Sequence, residues 1–297
     1  MNETSHRPSR ASLLVLLALA TASAPLFAAP AARTVAASKS PGLRSEAALV
    51  IDPVTGSVIY ERNAGEAAPI ASITKLMTAL IVLEAQQPLD EEIEVTAEDR
   101  IRTGNNASRL AVGTRLTRRE LLRLALMSSE NRAAQALCRN YSGGESACIT
   151  AMNARAQALG MTNARFEDPT GLSEHNVASP NDLAKLVMAA NQEELIREFS
   201  TTPAYSARVG RQTLQFHNTD PLVRDPGWQV SVQKTGHIAA AGQCLVLQAL
   251  VDGRDVVIVL LNSIGKHTRV ADARRIRKWL GTVEHAVAGI TQKPAAP

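Results

Sequence analysis

The chain is predicted to fold as an α+β domain, with its first and last strands sharing one antiparallel sheet flanked by a helical region. Three observations predict this. Two short β-patterned runs come first, helical periodicity fills the middle from about residue 73 to about residue 190, and β-rich runs return at Val230 before a closing helix. Strands alternating with single helices would argue for a parallel sheet; strands, then helices, then strands argue for α+β. The 297 residues are 45% hydrophobic and 20% charged, globular values with enough chain for a substantial core.

The elements follow in order. Arg7 and Arg10 precede an apolar run from Ala11 to about Ala24, and the small residues Ala28, Ala29, Ala31 and Ala32 come next. That order is the pattern of a secretory signal peptide, expected over 1–28; the run is short for the roughly 20 apolar residues of a membrane span. An uncleaved anchor is the alternative. Residues 29–42, rich in Pro, Ala and Ser, read as a flexible lead. Ala47 to Ile51 and Ser57 to Tyr60 read as a hairpin, because Asp52-Pro53-Val54-Thr55-Gly56 carries turn chemistry.

Ile73 to Glu84 places Ile73, Leu76, Met77, Leu80, Ile81 and Leu83 at helical spacing and reads as a largely buried helix. Thr117 and Glu120 make a capping box for a helix through Leu126. Asn131 to Arg139 and Ser146 to Leu159 continue as helices, the second stopped by Gly160. Ser179-Pro180-Asn181-Asp182 supplies a cap, a proline at the first helical position and an acid at the third, ahead of a helix to about Ala190. Val230 to Lys234, Cys244 to Val251 and Val256 to Leu261 are β-rich. A last helix is expected from Val270 to Trp279, inside a domain ending near 282, with a tail over 283–297.

Composition narrows the function. Only 3% of residues are aromatic, which leaves little for the stacking platforms of single-stranded nucleic-acid binders. The formal charge of +4 is spread along the chain. Arg118, Arg119 and Arg123, and the run Arg269, Arg274, Arg275, Arg277 and Lys278, read as solvated helix faces, with weak attraction to an anionic polymer as the alternative. None of the three cysteines has metal-ligand spacing. Cys138 and Cys148 flank a turn between two helices and can bridge it in an oxidising compartment; two buried thiols are the alternative. Cys244 reads as a core thiol.

Three short motifs carry chemistry. Ser72-Ile73-Thr74-Lys75 puts a serine and a lysine on one face at the start of a buried helix. A desolvated lysine there can lose its proton and act as a base. Ser129-Glu130-Asn131 lies between two helices, where a hydroxyl and an amide can point into a cleft. Lys234-Thr235-Gly236 lies at the end of a β-run, where glycine admits a ligand close to the backbone. Each motif alone is weak: Ser263 and Lys266 repeat the first spacing, and Ser179 and Asn181 repeat the second as a helix cap. The Lys-Thr-Gly run occurs once, and with the other two ahead of it in this order and on these elements the three form the signature of active-site-serine β-lactamases and penicillin-binding proteins. The departure is Glu130, where the usual pattern has aspartate.

The segments around the motifs extend the match. Pro69 to Ala79, Leu126 to Ala134, Glu167 to Val177 and Val230 to Gly236 resemble the D-Ala-D-Ala carboxypeptidase and endopeptidase family, in particular its penicillin-binding protein 7 branch. The resemblance runs from about Ala47 to Leu280. It implies Ser72 as nucleophile, Lys75 as base and Ser129 as proton relay, with Lys234 in electrostatic support. It implies that Asn131 binds a substrate amide and Thr235 a carboxylate. Gly236 then leaves room for the ligand, and the backbone N–H groups of Ser72 and His237 form the oxyanion hole. The implied substrate is a peptidoglycan peptide and the implied compartment the periplasm. β-Lactams are implied covalent inhibitors, and peripheral wall or membrane association is a further expectation. Neither a cofactor, a metal nor a nucleic-acid partner is expected.

Three readings compete with a crosslink endopeptidase. A class A β-lactamase needs a glutamate for deacylation, and Glu167 lies in a segment that matches the peptidases instead. A plain carboxypeptidase usually continues into a β-rich second domain. A wall-peptide binder without catalysis would not need the full set of site residues.

Overall fold

The computed structural model describes residues 40–100 and 108–291, with side chains to residue 282. The expected signal peptide and most of the flexible lead lie outside the described residues, as do 101–107 and 292–297.

β1 (Ser45–Ile51) and β2 (Val58–Arg62) pair antiparallel, as the turn chemistry between them predicts. Asp52 closes the turn, its Oδ1 accepting from the N–H groups of Val54 at 2.9 Å and Thr55 at 3.0 Å. β3 (Ala68–Pro69) leads into a single 3-10 turn, Ala71–Ile73, and then α1 (Thr74–Glu84). Every residue of α1 from Thr74 to Val82 is buried, so this helix is the axle of the helical region.

β4 (Glu92–Glu94) pairs with β5 (Arg115–Thr117), which delivers the chain to α2 (Arg118–Met127). The expected capping box is present there: Glu120 accepts from the Thr117 N–H at 2.9 Å, and Thr117 Oγ1 accepts from the Glu120 N–H at 3.2 Å. α3 (Asn131–Arg139) and α4 (Gly144–Ala158) are clamped by a Cys138–Cys148 disulfide, both residues fully buried. β6 (Val177–Ala178) pairs with β3, and Ser179 then caps α5 (Pro180–Ala190) with Asp182 as its reciprocal partner.

α6 (Glu194–Thr201) and a hairpin of β7 (Ala204–Val209) and β8 (Gln212–His217) follow. Three long strands, β9 (Gln229–Ile238), β10 (Gly242–Val251) and β11 (Arg254–Ser263), precede α7 (Thr268–Thr291). The main sheet runs β2-β1-β11-β10-β9, each neighbouring pair antiparallel. The first and last strands do share one sheet: Ser45 sits opposite Ser263 and Ile51 opposite Val257.

Side chains alternate across that sheet. Leu49, Val246, Val257, Val259 and Leu261 join the cluster with α1 and α5, while Val50, Leu245, Leu247, Ile258 and Leu260 join Val270, Ala273, Ile276 and Leu280 of α7. Burying one such side chain contributes about 1.5–3 kcal/mol, against about 1 kcal/mol net for a ladder hydrogen bond, so the alternation sets the register.

The structure departs from the sequence expectations in four places. β9 does not end at Lys234 but runs on to Ile238, because pairing with β10 continues to the Ile238–Gly242 partners. The backbone of α7 does not stop at Trp279 but continues helical to Thr291, across part of the expected tail; no proline interrupts the run. Arg118 is not on a solvated face. It is fully buried, its guanidinium on Glu91 at 2.5 Å and on the Pro88 carbonyl at 3.3 Å, and Arg269 of the later basic run is likewise half-buried, donating to the Gly236 carbonyl at 2.8 Å. α6 and the β7–β8 hairpin were not anticipated: the hairpin buries only Ala207 and Phe216, so its apolar pattern is faint, and α6 is a short helix of eight residues that buries Ile196, Phe199 and Ser200.

Candidate active site

The 3-10 turn holds Ser72 half-buried at the entrance to α1, with Ala71 ahead of it in the left-handed region at φ 48°. Lys75 comes one turn later on the same face and is fully buried. Its Nζ donates to three oxygens: Ser72 Oγ at 2.7 Å, Asn131 Oδ1 at 2.8 Å and the Thr170 carbonyl at 2.6 Å. The spacing that predicted one helical face is therefore realised, and Asn131 is drawn in from the first turn of α3.

Burial pushes the Lys75 ammonium down to about 7, against the pull of the Asp168 and Glu130 carboxylates toward the charged form. Like charge acts on the other lysine. Lys234, also fully buried, is held well below the usual lysine range by burial first and then by Lys75 and Arg269, with Asp220 opposing. Its Nζ donates to the Thr235 carbonyl at 2.9 Å.

β9 lies directly beside the Ser72 turn. A Cβ on Gly236 would stand 2.8 Å from the Ile70 carbonyl oxygen and 3.2 Å from the Ser72 nitrogen. Only glycine lets the two backbones come this close. The same is true across the turn at Gly171, at φ 80°, where a Cβ would fall 1.9 Å from the Ala71 carbonyl oxygen. Thr235 Oγ1 is 2.6 Å from Thr219 Oγ1, and Arg269 donates to the Gly236 carbonyl at 2.8 Å. The His237 ring donates through Nδ1 to the Gly242 carbonyl at 3.0 Å, so its side chain serves the β9–β10 turn.

Ser129 is half-buried in the left-handed region at φ 59°, immediately before Glu130, whose carboxylate accepts from the Arg132 N–H and caps α3. An L-residue held there is strained, and the surrounding contacts impose it. The look-alike pairs are structural: Ser263 Oγ meets Ser45 Oγ at 2.6 Å under α7, and Ser179 is a helix cap.

Sequence reasoning missed four participants. Thr170 enters through its carbonyl, which no residue type reveals. Asp168 shapes that loop, its Oδ1 accepting from Thr170 N–H at 2.6 Å and Gly171 N–H at 2.7 Å. Asn176 ties the loop to α1, donating to Thr74 Oγ1 at 3.1 Å. Asp220 is fully buried near Lys234, and burial raises its carboxyl to about 6 despite the Leu222 N–H and the Arg269, Arg224 and Lys234 charges.

A buried lysine on a helix-start serine, a second buried lysine on the adjacent strand, and a sheet covered on both faces define an active-site-serine acyl-transfer enzyme. The chain belongs to the D-alanyl-D-alanine carboxypeptidase family of serine peptidases, whose model matches residues 34–265. It is similar to a Pseudomonas aeruginosa protein named D-alanyl-D-alanine endopeptidase, 45% identical over 86% of this chain and 81% of that one. An Escherichia coli protein of the same name is 44% identical over 92% of this chain and 89% of that one. Among solved structures, a Streptomyces DD-transpeptidase superposes with a TM-score of 0.74 at 28% identity, over 80% of this chain and 97% of that one.

Proposed function

We propose that the chain is an exported endopeptidase that hydrolyses D-alanyl–diaminopimelate crosslinks in peptidoglycan through an acyl-enzyme on Ser72. The observation that carries the reading is Lys75 Nζ, brought to about 7 by burial and held 2.7 Å from Ser72 Oγ. A lysine that is half neutral near pH 7 can take the serine's proton as the oxygen attacks a D-alanine carbonyl. The backbone N–H groups of Ser72 and His237 receive the oxyanion; a single donor in such a hole is worth roughly 3–4 kcal/mol.

Ser129 then hands a proton to the leaving amine, with Lys234 supporting the transfer. Asn131 binds the amide of the acyl strand, and Thr235 binds the carboxylate beside the leaving amine. Water releases the acyl group and Ser72 regains its proton. Support for a crosslink rather than a terminal D-alanine as substrate comes from the two relatives at 45% and 44% identity that carry the endopeptidase name.

β-Lactams would acylate the same serine. The periplasm suits the signal-like pattern over 1–28 and the Cys138–Cys148 bridge. Among the described residues no helix is long and apolar enough to cross a membrane; any association with wall or membrane would rest on the chain's basic charge.

The test is digestion of purified crosslinked muropeptide dimers beside a free pentapeptide, with Ser72→Ala as control. Conversion of dimers to monomers, absent in the control, supports the reading. Release of terminal D-alanine alone moves the assignment to a carboxypeptidase with the same site.

A further inference from the structure

Glu130 departs from the usual aspartate of its motif, and its longer side chain has a specific use. It is 6% exposed, and its carboxylate accepts from Ser108 Oγ and, at 3.3 Å, from the Arg109 N–H. Arg132, two residues on, donates to the Leu110 carbonyl at 2.6 Å. The motif thus pins the segment 108–110 beside itself.

What that segment presents is a cation. Arg109 is exposed, its guanidinium 4.7 Å from the centre of the Phe216 ring and donating to the Gln215 carbonyl. Among the described residues it joins no ion pair. Its two partners are neutral, so they orient the charge without cancelling it. Arg109, Ser129, Asn131, Phe216 and His217 line one cleft of about 280 Å³.

The position of this cleft says which half of a substrate it receives. Thr219, two residues after His217, donates its N–H to the Met127 carbonyl at 2.9 Å and meets Thr235 Oγ1 at 2.6 Å. The His217–Thr219 segment therefore runs between the Ser129 loop and Thr235, the two groups assigned above to the leaving half. A separate groove of about 510 Å³, lined by Gln135, Thr170, Leu172 and Ile238, shares no residue with the Arg109 cleft and is left for the acyl strand.

The two candidate leaving groups differ in charge. A terminal D-alanine carries one carboxylate, beside the amine, within the province of Thr235. The leaving strand of a crosslink carries that carboxylate and a stem peptide with further carboxylates beyond it. We infer that Arg109, positioned by Glu130 and sharing its cleft with His217, is the anion-binding group of a leaving-strand subsite that favours crosslinks over terminal D-alanine. The inference rests on the endopeptidase reading above.

The experiment measures kcat/KM on a crosslinked muropeptide dimer and on a pentapeptide, and reads their ratio. The ratio does not depend on the fraction of folded enzyme, and labelling with a fluorescent penicillin shows that each variant keeps a working serine. For Arg109→Ala the dimer-to-pentapeptide ratio falls up to about fivefold, as expected for one exposed ion pair, mainly through KM. For Arg109→Glu, which sets like charges together, it falls at least about tenfold, and Arg109→Lys keeps most of it. Glu130→Asp lowers the ratio as Arg109→Ala does, and the double variant falls no further. A wild type that cleaves dimers while Arg109→Glu keeps the full ratio overturns this inference alone. A wild type that releases only terminal D-alanine overturns the endopeptidase reading and this inference with it.

Discussion

Lys75 Nζ lies 2.7 Å from Ser72 Oγ and 2.6 Å from the carbonyl oxygen of Thr170, a residue 95 positions away. In the proposed mechanism the first contact lets the lysine act as a base for the serine, and the second holds its Nζ in place. Replacing Lys75 with alanine removes the proton acceptor while leaving α1 and its apolar contacts in place. Acylation by a fluorescent penicillin is expected to fall at least about a hundredfold, the lower range for loss of a positioned base. A folded Lys75→Ala protein, checked by circular dichroism, that still acylates at the wild-type rate contradicts the assignment.

The pH dependence follows from the same burial. Lys75 is brought down to about 7, and only its neutral form accepts a proton. The acylation rate should therefore climb from pH 5.5 to pH 8.5 with an inflection near 7. The sign for stability is consistent with this. The unfolded lysine stays protonated to about 10.5, so the folded state's penalty is full below pH 7 and fades as pH rises toward 10.5. Lys75→Met should then stabilise the protein more at pH 6 than at pH 10 in urea unfolding. A flat rate profile, or a Lys75→Met effect of equal size at both pH values, counts against a neutral lysine.

The helical elements other than α6 were legible because their signals are local. Thr117 with Glu120 and Ser179 with Asp182 are spaced within one turn: the first forms the box read for it, and the second forms the cap read for it with Asp182 closing it into a box. The three motifs were legible because they occur together and in order. Contacts made through backbone atoms were not: the Thr170 carbonyl reaches Lys75 only because Asp168 and Asn176 fold their loop against α1. Arg118 shows the opposite failure, a charged residue in a basic run whose burial depends on Pro88 and Glu91. Composition identifies such a side chain as charged but not where it goes.

Gly236 tests how closely β9 must approach the nucleophile. A methyl group there would meet the Ile70 carbonyl oxygen at 2.8 Å and the Ser72 nitrogen at 3.2 Å, neither of which belongs to a flexible side-chain end. Gly236→Ala should move β9 off the serine turn and lower acylation by about a hundredfold, the effect of roughly 1 Å of misplacement. The measurement is the acylation rate constant of the variant. A rate within threefold of wild type would mean that the approach is not needed.

The Cys138–Cys148 bridge closes a loop with a sequence separation of 10 at the junction of α3, the helix that presents Asn131, and α4. Chain entropy for a loop of that length is worth about 2–3 kcal/mol. Cys138→Ser, or reduction after partial unfolding, should lower the urea unfolding free energy by about that amount. An unreduced protein whose intact mass shows three free thiols would contradict the bridge.

In the proposed mechanism Ser72 carries the acyl group. The most direct test is to quench the protein with benzylpenicillin and locate the adduct by peptide mass spectrometry. One penicilloyl group is expected on the peptide containing Ser72, and none anywhere in Ser72→Ala. An adduct on another residue, or a Ser72→Ala protein that is still labelled, would contradict it.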